Sequence, residues 1–208
     1  MISRNPLCLV VVSALAGVMF CAGCGNSEGL VSKTAEFRFD NRSVAVIPFK
    51  DSHHTYGESR DGMDLAMAVS QRLQATGAAV NVKDADRLAE LLKGESAREL
   101  GWEEVCNRIG VKVLLFGDLQ QFTLRDSGVQ LIVRGTCRIR LFVYDSDAKR
   151  TYTLSPTAVY HPESGAGLPE SDMSADKLRG ILLGKSARII AYKFYDHEEK
   201  PPTTMPRY

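Results

Sequence analysis

Between Val129 and Tyr144 the chain alternates strictly. The odd positions are Val129, Leu131, Val133, Gly135, Cys137, Ile139, Leu141 and Val143. The even positions are Gln130, Ile132, Arg134, Thr136, Arg138, Arg140, Phe142 and Tyr144. Successive side chains of an extended strand point to opposite faces, so one face here is apolar throughout and the other mostly polar. A period of two over this length predicts a long antiparallel strand with one face in a core. Arg125-Asp-Ser-Gly128 is the expected hairpin turn before it, and Asp145–Lys149 the turn after it. Thr151–Tyr160 then reads as the return strand.

The flanking sequence supplies helices and further strands. Ser43–Phe49 is a compact β-branched run that reads as a buried strand, with Pro48 at its end. Asp61, with Asp64 three places on, suits a helix start; Leu65, Ala66, Val69 and Leu73 recur at helical spacing, and Gly77 is a left-handed stop. Ala79–Lys83 is a short strand. Asp84 opens a helix with Leu88, Leu91 and Leu92 on one side, ending at Gly94. Ser96-Ala-Arg-Glu99 matches a capping box for a helix that breaks at Gly101 and stops at Gly110. Val113–Phe122 is the next strand, with Gly117 marking a bulge or a close approach. Ser174 caps a last helix to about Tyr195, with Leu178, Ile181, Leu182, Ile189 and Tyr192 on its buried side. The expected order is β-α-β-α-α-β-β-β-α.

The amino terminus has a different character. Pro6–Gly23 is an apolar run after a start carrying Arg4, and it closes on Cys24. A charged start, an apolar middle and a small-residue exit form an export signal. Cys21-Ala22-Gly23-Cys24 resembles the bacterial lipobox, with Cys21 where Leu is usual. The resemblance implies cleavage before Cys24 and acylation of its thiol and amine. A retained transmembrane helix is the rival reading, because about 18 apolar residues lie at the short edge of a span. Gly25 after the anchor resembles outer-membrane sorting. Removing residues 1–23 takes away Arg4 and leaves 25 basic and 25 acidic side chains. Such a balance leaves no electrostatic footprint for nucleic acid. The roughly 185 remaining residues suit one domain with its own core. Residues 25–35 form a polar tether reaching roughly 35 Å when stretched. Asp196–Tyr208 has three prolines and is expected to fray.

Val44-Ala-Val-Ile-Pro-Phe49, Arg87-Leu-Ala-Glu-Leu-Leu92, Ile109–Asp118 and Arg138–Asp145 resemble words of one lipoprotein family group. It includes the curli secretion channel lipoprotein (CsgG), the amino-terminal domain of TolB and the lipoprotein activator of penicillin-binding proteins (LpoB). The resemblance implies an α/β (α+β) sandwich of the anticodon-binding-like type, three-layer-like, with a mixed sheet of about five strands. It also implies envelope work through protein–protein contact. Two features depart from the group. Arg134, Arg138 and Arg140 would each cost roughly 2–4 kcal/mol on a lipid-facing band at the bilayer midplane, which disfavours a pore. The tether is too short to cross a cell wall.

Several constellations bear on chemistry. His53 and His54, with Asp51, Glu58 and Asp61, form a weak candidate metal site in the loop after the first strand, where open α/β sheets often bind ligands. Adjacent His residues in an extended loop point apart, so a solvated loop is the expectation and no metal is assigned. Gly180-Ile-Leu-Leu-Gly184-Lys185-Ser186 has three residues between its glycines where a phosphate loop needs four, and it lies within a helix. Close packing of Gly180 and Gly184 against a sheet or partner is the expectation. Glu163–Gly167 lacks the leading Gly of a nucleophile elbow. Arg134, Arg138, Arg140 and Phe142 share the outer sheet face with Tyr144, and arginines with aromatics typify contact surfaces. Cys106 and Cys137 lie on apolar faces and read as free or paired. Trp102 reads as core.

The sequence thus leads to a lipid-anchored protein of the bacterial envelope, facing the periplasm from the outer membrane. Its segments are a signal peptide (1–23), a lipidated Cys24 and tether (24–42), one α/β domain (43–195) and a tail (196–208). The expected role is non-catalytic binding or assembly without a cofactor. The expected partners are the membrane through the lipid and either an envelope protein or a second copy. The partner face is assigned to Arg134, Arg138, Arg140, Phe142, Gly180 and Gly184. A metal-dependent hydrolase using His53 and His54, or a curli-like channel subunit, are the alternatives.

Overall fold

A computed structural model of the chain describes residues 30–54, 56, 58–83, 88, 90, 92, 100–125, 132–163 and 167–199. The leader, Cys24, the Asp84 cap, the Ser96–Glu99 capping box and the turn at 126–128 lie outside the described residues.

The fold is mixed α+β, built on one sheet of seven strands. In chain order its strands are β2 (Val44–Val46), β3 (Lys50–Asp51), β4 (Val82–Lys83), β5 (Val113–Thr123), β7 (Gly135–Asp145), β8 (Arg150–Thr153) and β9 (Thr157–His161). Two ribbons of two strands flank the sheet. One joins β1 (Val31–Lys33) to β11 (His197–Glu199), and the other joins β6 (Ile132–Val133) to β10 (Leu168–Pro169). Three helices are described: α1 (Arg60–Ala75), α2 (Trp102–Ile109) and α3 (Ala175–Tyr192).

Seven strands occupy five lanes, which reconciles the sheet with the five expected from sequence. β2 and β3 both run parallel to β5 on the same side, separated by Ile47–Phe49 around Pro48. Proline lacks an amide hydrogen, so the ladder is interrupted there. Likewise the expected return strand is two pieces, β8 and β9, both antiparallel to β7 and separated by a stretch containing Pro156. The long strand is also cut: Arg134 leaves the ladder between β6 and β7.

Alternation along β7 partitions the core. Cys137, Ile139, Leu141 and Val143 face a cluster containing Leu65, Val69 and Leu73 of α1 and Leu182, Ala187 and Ile190 of α3. Phe142 and Tyr144 face the other way, into a second cluster with Leu88, Leu92, Val105, Cys106 and Trp102. Helices therefore cover both faces, giving three layers. α1 is capped by Ser59, whose Oγ accepts from the Gly62 amide at 3.2 Å, rather than by Asp61. Asp61 sits instead in the first turn, where its charge suits the helix dipole. α2 is bounded by Gly101 and Gly110 at positive φ, matching the expected break and stop.

The two ends of the domain differ from expectation. The tail does not fray at residue 196: His197–Glu199 pairs with Val31–Lys33 of the expected tether. Phe39 is 1% exposed and stacks on Phe194 at 4.6 Å. Lys193, nearly buried, donates to Glu36 Oε1 at 2.8 Å and also bonds the Ser155 hydroxyl. The chain from Val31 onward is thus part of the folded body. The tether reading missed Phe37 and Phe39 because two apolar residues among charges carry no periodic signal. Among the described residues no helix is long and apolar enough to cross a membrane.

Candidate functional site

The second face of the sheet is half covered. Towards the end of β7, Phe142 stacks on Phe116 at 5.4 Å, and Phe116 lies 4.1 Å from the Trp102 ring of α2. Phe142 therefore belongs to the packing under α2, apart from the open arginine face to which the sequence assigned it. Towards the start of β7 no helix among the described residues lines this face. There a cavity of about 290 Å³ opens, lined by Gln121, Thr123, Arg125, Arg134, Thr136, Arg138 and Tyr160.

Strand register explains how these side chains meet. Asp118 lies opposite Arg140 and Leu119 opposite Ile139, but the next pairs are Gln121 with Arg138 and Thr123 with Thr136. Gln120 is left unmatched, which is a β-bulge. A bulge re-aims every side chain beyond it. Before it, Leu114 and Phe116 of β5 point to the second face. After it, Gln121 and Thr123 do so, while Phe122 and Leu124 turn to the first core. On the other side of β7, Arg138 is opposite Ala158 and Thr136 opposite Tyr160. Arg138 Nη2 donates to the Tyr160 hydroxyl at 3.3 Å. The Arg134 guanidinium carbon lies 5.9 Å from the centre of the Tyr160 ring.

The charges of this face are unbalanced. Arg125 pairs with Glu170 at the rim. Neither Arg134 nor Arg138 has a carboxylate partner among the described residues, and the buried Arg134 Nε has no acceptor. Arg140 is exposed one register step away, outside the cavity lining. The structure thus brings Arg134 and Arg138 together and sets Arg140 beside them. Sequence reasoning missed Gln121, Thr123, Arg125, Thr136 and Tyr160. The facing of Gln121 and Thr123 depends on the bulge, and an extra residue in one strand leaves no mark in the alternation of its partner.

The other candidate residues lie elsewhere. Gly180 and Gly184 are on the exposed face of α3, with open space where a Cβ would stand, so close packing within the chain is not their role. His53 and His54 are exposed, with rings 6.5 Å apart and 83° between planes. Asp51 accepts from both of their backbone amides at 2.8 Å and from the His54 ring at 3.0 Å. Burial works to raise the Asp51 pKa, but these bonds and one from Ser59 outweigh it and hold it at about 2. Asp61 is engaged by Arg179 Nη2 at 2.6 Å, and the same nitrogen reaches Asp64 at 2.6 Å. Asp51 and Asp61 of the suggested metal site thus serve the loop and the α1–α3 contact. Among the described residues no three His, Cys, Asp or Glu side chains group as a metal site.

Cys106 and Cys137 are both free and buried, in clusters on opposite sheet faces. Burial pushes each thiol up to about 11. A thiol that holds its proton is a poor nucleophile.

No family model and no curated protein sequence matches the chain. Solved structures resemble its trace at low identity. The PelC dodecamer protein from Paraburkholderia phytofirmans has a TM-score of 0.45 and 13% identity, over 77% of this chain and 95% of that one. Lipoprotein GNA1162 from Neisseria meningitidis has a TM-score of 0.48 and 16% identity, over 72% and 97%. The LpoB C-terminal domain from Salmonella enterica has a TM-score of 0.37 and 8% identity, over 57% and 82%. Likenesses at this level carry no functional argument.

Proposed function

We propose that the protein is a lipid-anchored component of the bacterial envelope that works by binding, without catalysis. The observation that carries this reading is the open half of the sheet, where Arg134 and Arg138 converge without carboxylate partners among the described residues. Guanidinium groups combine charge with a planar set of donors, and they recur at recognition surfaces for that reason. Arg140, exposed on the same strand, extends the basic surface.

The anchor reading rests on Cys24 at the lipobox-like exit. With β1 beginning at Val31, the chain between Cys24 and β1 can reach at most about 20–25 Å. A body held so closely would meet envelope proteins beside its own membrane. The hydrolase alternative has less support, because Asp51 and Asp61 are engaged in structural contacts. The channel alternative is opposed by Arg138 and Arg140, both exposed on the sheet.

The test is crosslinking in cells with the wild-type chain and an Arg138→Glu/Arg140→Glu variant. Captured protein is expected to fall with the charge reversal, and unchanged capture refutes the assignment of this face. Mass analysis of the native protein is expected to find acyl chains on Cys24 and residues 1–23 removed.

A further inference from the structure

The cavity on the open half of the sheet is suited to a particular chemistry. Its lining presents two guanidinium groups without counter-ions among the described residues, Arg134 and Arg138, and a third, Arg125, whose carboxylate partner sits at the rim. Between them stand the hydroxyls of Thr123, Thr136 and Tyr160 and the Gln121 amide. Among the described residues no acidic side chain lines it. Arginine forks and hydroxyl donors together match an oxyanion with several acceptor oxygens. A carboxylate offers two oxygens, whereas a phosphomonoester offers three and approaches a second negative charge. The volume, about 290 Å³, leaves room for the substituent that carries it.

We infer that this cavity binds a phosphoryl group. The inference rests on reading this face as the binding face, and it names the chemistry recognised there. Tyr160 positions both arginines: its hydroxyl accepts from Arg138 and its ring faces the Arg134 guanidinium. The Gln120 bulge sets Gln121 and Thr123 on the same face. A surface made for a single carboxylate would need neither the third strand nor the hydroxyls.

The experiment titrates the full chain, in detergent micelles, with inorganic phosphate by calorimetry and by backbone amide NMR. Saturable binding with a Kd of about 1 mM or tighter is expected. The perturbed amides should be confined to residues 121–125, 134–138 and 158–160. Arg134→Gln/Arg138→Gln should weaken binding at least about tenfold, and Arg60→Gln/Arg72→Gln, the same charge change on α1, should not. Competition then identifies the source. Glycerol phosphate alone displacing phosphate indicates a soluble ester, and short-chain phosphatidate, a phosphomonoester lipid, displacing it indicates a lipid headgroup. Absence of saturation, perturbations elsewhere, or equal affinity in the double variant overturns the inference. The wild-type NMR map decides the case even if a variant misfolds. If phosphate fails to bind while charge reversal still abolishes capture in cells, the phosphoryl group is refuted and the contact face stands.

Discussion

Glycine replacements at three positions should move stability in opposite directions. At Gly117 in β5 an added Cβ would lie 2.4 Å from the Arg140 carbonyl oxygen and 2.9 Å from the Phe49 ring. The first obstacle is the backbone of the neighbouring strand, and Phe49 is fully buried. The carbonyl cannot withdraw without opening the central β5–β7 pairing, and the ring cannot without displacing its core neighbours. Overpacking typically costs 1–3 kcal/mol, and two such obstacles place Gly117→Ala near the top, at about 3 kcal/mol. For a domain of this size that is a fall in Tm of about 6–12 °C. Gly180 and Gly184 of α3 have open space at the Cβ position. Alanine there gains helix propensity, about 1–2 kcal/mol for the double variant, or a rise of about 2–8 °C. Thermal unfolding by circular dichroism reads all three. A Gly117→Ala melt within about 1 °C of wild type, or a fall for the α3 double variant, refutes the reasoning. The α3 variant also bears on function: if that helix face contacts a partner, it should melt higher and capture less.

Three further outcomes follow from the electrostatics and burial. Asp51 has a folded pKa of about 2 against an ordinary 3.8, so its contribution is fully present above about pH 4 and is lost as pH falls through 2. Across that window Asp51→Asn should remove about 2 kcal/mol of acid-dependent destabilisation, seen as a flatter Tm–pH curve; parallel curves would show that the loop bonds do not hold the charge. Arg179→Met strips the bonds to Asp61 and Asp64 that tie α3 to the start of α1, and should cost about 1–3 kcal/mol in urea unfolding. A native chain treated with iodoacetamide should leave Cys106 and Cys137 unlabelled and unpaired by mass, with both reacting after unfolding; labelling of either in the native state contradicts its burial.

Much of the fold was legible because its signals are local. The alternation along residues 133–143 placed Cys137, Ile139, Leu141 and Val143 in the core, as found. Gly77, Gly101 and Gly110 lie at positive φ, at or near the expected helix ends. Ser174 caps α3, its Oγ accepting from the Lys177 amide at 3.3 Å. The candidate site was half legible. Arg134 and Arg138 were picked from their outward positions on one strand. Phe142 shares their parity, but parity cannot reveal that α2 covers one end of that face and leaves the other open. The same limit applies to Gly180 and Gly184, where helical spacing gave a common face without saying what it meets.

The amino-acid sequence by itself determined the main secondary elements and the two-sided character of the central strand, since each is written in residues near one another along the chain. Tertiary structure decided what those faces meet. The pairing of residues 31–33 with 197–199 and the docking of Phe39 on Phe194 are long-range events without a local signature. So is the gathering of side chains from β5, β7 and β9 around one cavity. One unmatched residue, Gln120, inverts the facing of the strand beyond it, and that inversion exists only relative to the register of its neighbour.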